Sequence, residues 1–210
     1  MRELGSLLGL DKALLSRHPF PGPGLAIRCL CSDKEGIGKN TTQGTVLPVR
    51  SVGVQGDERT YRSPLVVLSS KPWEELERES TQSTNSDKEI NRVLLQAYPK
   101  ETSEFRMIKA GITKERLDLL RKADSIVNEF CIEKGIYDKI WQFPVVLLPV
   151  LSSGKPVIVL RPITSIDAMT ASFYRFDRKL LDELCARLRQ FTGAVLYDIT
   201  NKPPATIEWE

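Results

Sequence analysis

Apolar residues along this chain change period several times, and each change marks an element. Over residues 113–134 they recur every three or four positions, at Leu120, Ala123, Val127 and Phe130, which puts one stripe on a helix. Gly135 follows where a left-handed cap is expected. A second helix is predicted over 177–190: Asp177 suits the N-cap, Leu181, Leu184, Cys185 and Leu188 share a face, and Gly193 closes it. Shorter apolar runs at 25–30, 45–54, 64–69, 92–98, 144–151, 156–163 and 194–199 read as strands. Two of these join across the turn at 152–155 as a hairpin. Because 145–151 and 157–160 are apolar at nearly every position, they read as buried on both faces. An acidic helical stretch covers 73–79, and a polar connection follows over 80–90. Near the start, 3–17 is a short helical stretch ended by His18 before Pro19. Phe20-Pro-Gly-Pro-Gly24 then makes a rigid loop and a hinge.

The order of elements repeats. Val46-Leu-Pro-Val49 matches Leu147-Leu-Pro-Val150, and Val93-Leu-Leu95 matches Val195-Leu-Tyr197, both at an offset of about 100 residues. The fold class expected is α+β: two small repeated β-β-α-β subdomains, 25–110 and 111–210, each a sheet covered by helices. The copies differ at one connection. The second joins its hairpin strands with four residues, while the first spends 51–62 on a loop holding Gly53, Gly56, Asp57, Arg59 and Arg62, with Arg50 just before it. Connections that long are often functional, and arginine's planar fork matches a phosphate. A solvated surface loop is the alternative.

Composition narrows the class. With 41% hydrophobic and 27% charged residues the chain has ordinary globular composition, and no apolar run is long enough to cross a membrane. The N-terminus lacks the apolar core of a signal peptide. A net charge of +3 is too mild to argue for a nucleic-acid partner. Cys29, Cys31, Cys131 and Cys185 have no zinc-ligand spacing and fit a reducing, cytoplasmic compartment, although four cysteines also suffice for two disulfides. The single histidine, His18, reads as structural or capping.

The densest chemistry is at the end, in Lys202-Pro-Pro-Ala-Thr-Ile-Glu-Trp-Glu210. Prolines hold an extended backbone at little entropic cost, so the side chains after them are aimed. Lys202 offers a point charge for a phosphate, and Glu208 offers acceptors. The same tail could instead dock Trp209 as an apolar peg, with Lys202 paired to Glu208 or Glu210. Asp167 could contact a ligand or cap the turn before Met169.

Four segments carry a resemblance: Arg17-His-Pro-Phe-Pro-Gly-Pro-Gly-Leu25, Leu47-Pro-Val-Arg-Ser-Val-Gly-Val-Gln-Gly-Asp57, Ile166-Asp-Ala-Met-Thr-Ala171, and the last sixteen residues from Val195. Together they resemble the C-terminal dimerisation region of GMP synthase, in the longer two-copy form of eukaryotic-type enzymes. The resemblance implies that residues 1–24 end an ATP pyrophosphatase domain. That domain and the amidotransferase domain, both absent here, would carry ATP-driven adenylation and ammonia transfer. It implies a homodimer, an isolated chain without activity, and no cofactor held by this region, ATP and Mg2+ belonging to the full enzyme. The residues it places on xanthosine monophosphate (XMP) are Asp57, Arg59, Gln142, Lys202 and Glu208. An RNA-binding module is the competing class, but the chain shows no Gly-x-x-Gly clamp and no aromatic ladder for bases. A non-catalytic dimerising scaffold is the third.

Overall fold

The computed structural model describes residues 2–15, 18, 22, 24–56, 58–166 and 169–210. Its helices are α1 (Arg2–Leu7), α2 (Lys12–Leu15), α3 (Trp73–Ser86), α4 (Lys114–Glu133) and α5 (Arg178–Leu188). The strands of the first half are β1 (Gly36–Ile37), β2 (Lys39–Asn40), β3 (Thr45–Val46), β4 (Ser51–Gln55), β5 (Glu58–Val67), β6 (Ile90–Tyr98) and β7 (Arg106–Met107). The second half adds β8 (Val145–Ser152), β9 (Lys155–Leu160), β10 (Ile163–Thr164), β11 (Ser172–Phe173) and β12 (Ala194–Asp198).

Local chemistry explains the two long helices. Thr113 accepts from the Arg116 amide at 3.3 Å to start α4, and Gly135 ends it at φ +63°. Asp177 caps α5, accepting from the Lys179 and Leu180 amides at 2.9 and 3.1 Å. Gly193 does not close α5, which ends at Leu188. It is a glycine for another reason: a Cβ there would lie 1.9 Å from the Ser152 carbonyl oxygen. The stretch 80–90, expected as a connection, continues α3 to Ser86. Its buried stripe passes from Leu76 to Ser80 and Thr84, and Thr84 Oγ1 donates back to the Ser80 carbonyl at 3.0 Å. Small hydroxyl residues fill positions where the pattern called for apolar ones. Residues 25–28 form a turn and not a strand, and Leu30 then donates to the Leu147 carbonyl at 3.0 Å, alongside β8.

Among the described residues ten strands form one mixed sheet, in the order β1-β7-β8-β9-β12-β6-β5-β3-β2 with β4 added to β5. Parallel pairs need a crossover. Helix α3 supplies it between β5 and β6, and α5 between β9 and β12. In place of the two separate sheets expected, one runs through both halves. β6 and β12 pair antiparallel, Leu196 against Gln96 and Tyr197 against Leu95, so neither half is left with an open edge there.

The central strands are buried on both faces, as their unbroken apolar runs predict. Val145, Leu147, Ile158, Leu160, Val195 and Tyr197 face the helices and one core cluster. Their alternates Val146, Leu148, Val157, Val159, Ala194 and Leu196 face a second cluster, which Leu30, Phe105 and Trp209 complete. The chain therefore covers both faces itself, and these strands call for no partner subunit.

Candidate functional site

The segment 51–62 is not a loop. β4 and β5 pair along it from Ser51 against Arg62 to Gln55 against Glu58, leaving a tight turn with Gly56 at φ +67°. Asp57 lies outside the described residues, as do Asp167 and most of the 20–24 segment. Arg59 stands exposed on β5 opposite Val54. Gly53 serves the chain itself and not a ligand, since a Cβ there would lie 2.8 Å from the Pro204 carbonyl oxygen.

That contact shows what the tail does. It runs along the hairpin, where the Val54 amide donates to the Pro204 carbonyl at 2.6 Å and the Val52 amide to the Trp209 carbonyl at 3.0 Å. Trp209 is only 1% exposed and stacks under the Arg92 guanidinium, 4.9 Å from its ring centre. Tyr61 donates its hydroxyl to Glu210 at 2.6 Å. Burial, then the hydrogen bond to this carboxylate, pushes the phenol up to about 12. The apolar peg is what the structure shows: Trp209 is buried, and it fixes the segment carrying Lys202 and Glu208. Glu208 has an exposed side chain, while its carbonyl accepts from Arg92 Nη2 at 2.6 Å.

Lys202 is set by a second contact. It exchanges backbone hydrogen bonds with Ala171 at 2.7 and 3.1 Å, just before β11 of the β10–β11 ribbon. Thr164, Ser165, Thr170, Ser172, Asn201 and Lys202 line a cavity of about 580 Å³. Ile166 and Ala171 complete the wall, which is therefore more apolar than polar, with hydroxyls, an amide and an ammonium available to a ligand's polar groups. Gln142 sits at the other side of the ribbon, accepting from the Ile163 amide at 2.9 Å through its carbonyl. Its side chain is buried and lines a smaller cavity, of about 200 Å³, with His18, Arg28 and Asp124. Trp141 before it packs against Ile163, Ala171 and Ile207, tying the ribbon to the tail. The fold thus links Gln142 and Lys202 through one ribbon and lays the tail along the hairpin of Arg59. Arg59 lines neither of these two cavities. His18 stacks on Tyr137 at 4.1 Å, a packing role.

Sequence reading missed three residues that organise this region. Arg92, Arg161 and Asp198 are fully buried, with Asp198 Oδ2 2.9 Å from Arg92 and its Oδ1 3.0 Å from Arg161. Burial pushes Arg92 down to about 9, against the pull of Asp198, which leaves it protonated at neutral pH. An arginine at the head of the apolar run Val93-Leu-Leu95 in β6 was the available signal. Among the described residues no group of His, Cys, Asp or Glu side chains is arranged to hold a metal ion. The four cysteines are free thiols, and no described helix is long and apolar enough to cross a membrane.

Comparison with known proteins bears on this geometry. Residues 129–209, which include the ribbon, α5, β12 and nearly all of the tail, match the family described as GMP synthase C terminal domain. The whole chain aligns with a probable GMP synthase (glutamine-hydrolyzing) of Leptospira interrogans, at 40% identity and over 38% of that protein's length. It aligns likewise with GMP synthases (glutamine-hydrolyzing) of Bradyrhizobium diazoefficiens, at 33% identity over 26% of the relative, and of Bartonella quintana, at 31% over 27%. The chain thus spans between a quarter and two fifths of the curated relatives it matches. The described tail and ribbon fall within the matched segment, and on these grounds the chain belongs to the GMP synthase family, as a C-terminal region of it.

Proposed function

We propose that this chain is the dimerising, XMP-contacting C-terminal region of a glutamine-dependent GMP synthase, acting in formation of GMP from XMP, ATP and glutamine. The observation that carries the reading is the alignment of the whole chain to part of a GMP synthase, with the tail seated so that Lys202 lines a cavity beside Thr164, Ser165, Thr170, Ser172 and Asn201. In this reading Lys202 meets the phosphate, Glu208 and Gln142 orient the nucleotide, and Asp57 and Arg59 approach from the hairpin, in a homodimer from the opposite subunit. The two halves are related β-β-α-β units of one cytoplasmic enzyme, divided near residue 110. Residues 1–24 end a preceding ATP pyrophosphatase domain, which with the amidotransferase domain supplies the ATP- and Mg2+-dependent chemistry, so the chain alone is inactive.

The test is an NMR titration of the chain with XMP, followed by turnover in an enzyme carrying this region. Lys202→Ala and Arg59→Ala are compared with Lys109→Ala, an exposed control. Losing one charged partner of a phosphate costs about 2–4 kcal/mol, or about 30-fold to 1000-fold in affinity. If both site variants stay within about twofold of the parent, the assignment is wrong.

A further inference from the structure

The two buried guanidiniums take no part in the nucleotide contacts proposed above, yet they hold the bonds that shape the end of the chain. Arg92 belongs to β6 in the first half. Arg161 follows β9 and Asp198 ends β12, both in the second. Asp198 gives one oxygen to each, which turns Arg92 Nη2 toward the tail. That nitrogen's two N–H groups are shared among four acceptors: the Val52 carbonyl at 2.9 Å, the Thr206 carbonyl at 3.1 Å, Thr206 Oγ1 at 2.9 Å and the Glu208 carbonyl at 2.6 Å. Arg161 donates through Nε to the Thr206 carbonyl at 3.1 Å and through Nη1 to the Thr200 carbonyl at 3.0 Å. Thr200, before Lys202, and Glu208, after it, therefore hang on two guanidiniums joined by one carboxylate.

Stability is a poor explanation for this cluster. Two buried positive charges share a single buried negative one, and Arg161 Nη2 is buried without a hydrogen-bond partner among the described residues. Apolar side chains of similar volume often stabilise as well as a buried ion cluster does. What they cannot supply is direction. A guanidinium aims several donors at fixed angles, which a lysine does not. The surplus positive charge also lies within electrostatic reach of the Glu208 carboxylate.

We propose that Arg92, Arg161 and Asp198 form a positioning lock, made from both halves of the chain, that sets the tail and with it Lys202 and Glu208. As a device for nucleotide contact it rests on the reading given above. Its residues touch no substrate and act through the tail.

The experiment uses the 210-residue chain with Arg92→Met, Arg92→Lys and Thr206→Val. Amide hydrogen exchange reads the tail at Val52 and Val54, whose N–H groups bond to tail carbonyls, and at Ala205, whose own N–H bonds to the Asn201 carbonyl, and reads the core at residues 194–198. XMP titration reads the site. In Arg92→Lys, which keeps the charge beside Asp198 but not the fork, tail amides should exchange at least about 10-fold faster with core amides unchanged. XMP affinity should fall about 10-fold. Thr206→Val leaves all three lock residues in place and should give a smaller loosening of the same amides. If Arg92→Met does not fold, these two variants carry the test. Tail exchange within about twofold of the parent in both overturns the lock. A loosened tail with unchanged XMP affinity overturns its role toward the nucleotide. A loosened tail in a chain whose parent binds no XMP supports the lock and overturns the proposed function.

Discussion

Replacing Gly193 with alanine tests how tightly the β8–β9 turn is pressed against the start of β12. A Cβ at 193 would lie 1.9 Å from the Ser152 carbonyl oxygen and 2.8 Å from that of Lys155. Both atoms are backbone in a hairpin turn, so no side chain can swing aside. Relief requires the turn and the strand to separate by about 1 Å or more, since non-bonded carbon and oxygen atoms settle beyond about 3 Å. The Gly193 amide then loses its 2.8 Å bond to the Pro156 carbonyl, at about 1 kcal/mol. The neighbouring pair Ala194 and Val157, each fully buried, opens to solvent or strain at a further cost of about 1–3 kcal/mol. With residual overlap the total is about 3–5 kcal/mol. For a chain of this size that lowers Tm by about 6–20 °C. Urea denaturation of the variant gives the number directly. Gly111→Ala, with nothing within 4 Å of its added methyl, should be neutral. Gly154→Ala has equal room but φ +72°, and should lose about 1 kcal/mol from backbone conformation alone. A Gly193→Ala loss of less than about 1 kcal/mol would mean that the close approach does not exist.

Two further outcomes are expected. Burial alone would raise the Glu77 carboxyl, but hydrogen bonds from Asn201 and Arg175 outweigh it and hold the group below its ordinary value of 4.5. Its folded pKa is therefore the lower one, so its contribution is present above pH 4.5 and fades as pH falls through the folded value. Between pH 6 and 3 the parent should lose roughly 0.5 kcal/mol more in urea titrations than Glu77→Gln, a solvent-screened contribution; parallel curves would refute it. Burial pushes the Cys131 and Cys185 thiols up to about 12, whereas Cys31 is exposed. Alkylation of the folded chain at pH 8 should label Cys31 and spare Cys131 and Cys185, as peptide mass mapping will show.

The sequence by itself determined whatever depends on near neighbours. Thr113 with Gly135 bounds α4, Asp177 starts α5, and unbroken apolar runs mark β8 and β9 as strands buried on both faces. The tail's anchor was legible too, as a buriable Trp209 one residue from the chain's last position. Only tertiary structure decided the rest. Gly53 and Gly193 are glycines because Pro204 and Ser152 come close from elsewhere in the chain, not because a ligand or a helix end requires them. The supposed loop at 51–62 is a hairpin because the tail and β6 supply it with partners. The two halves share one sheet because β6 and β12 satisfy each other's edges. Arg92, Arg161 and Asp198 meet only when those strands pair. A sequence window records periodicity and caps, which are local interactions, while close approach and charge pairing depend on atoms brought together by the whole fold.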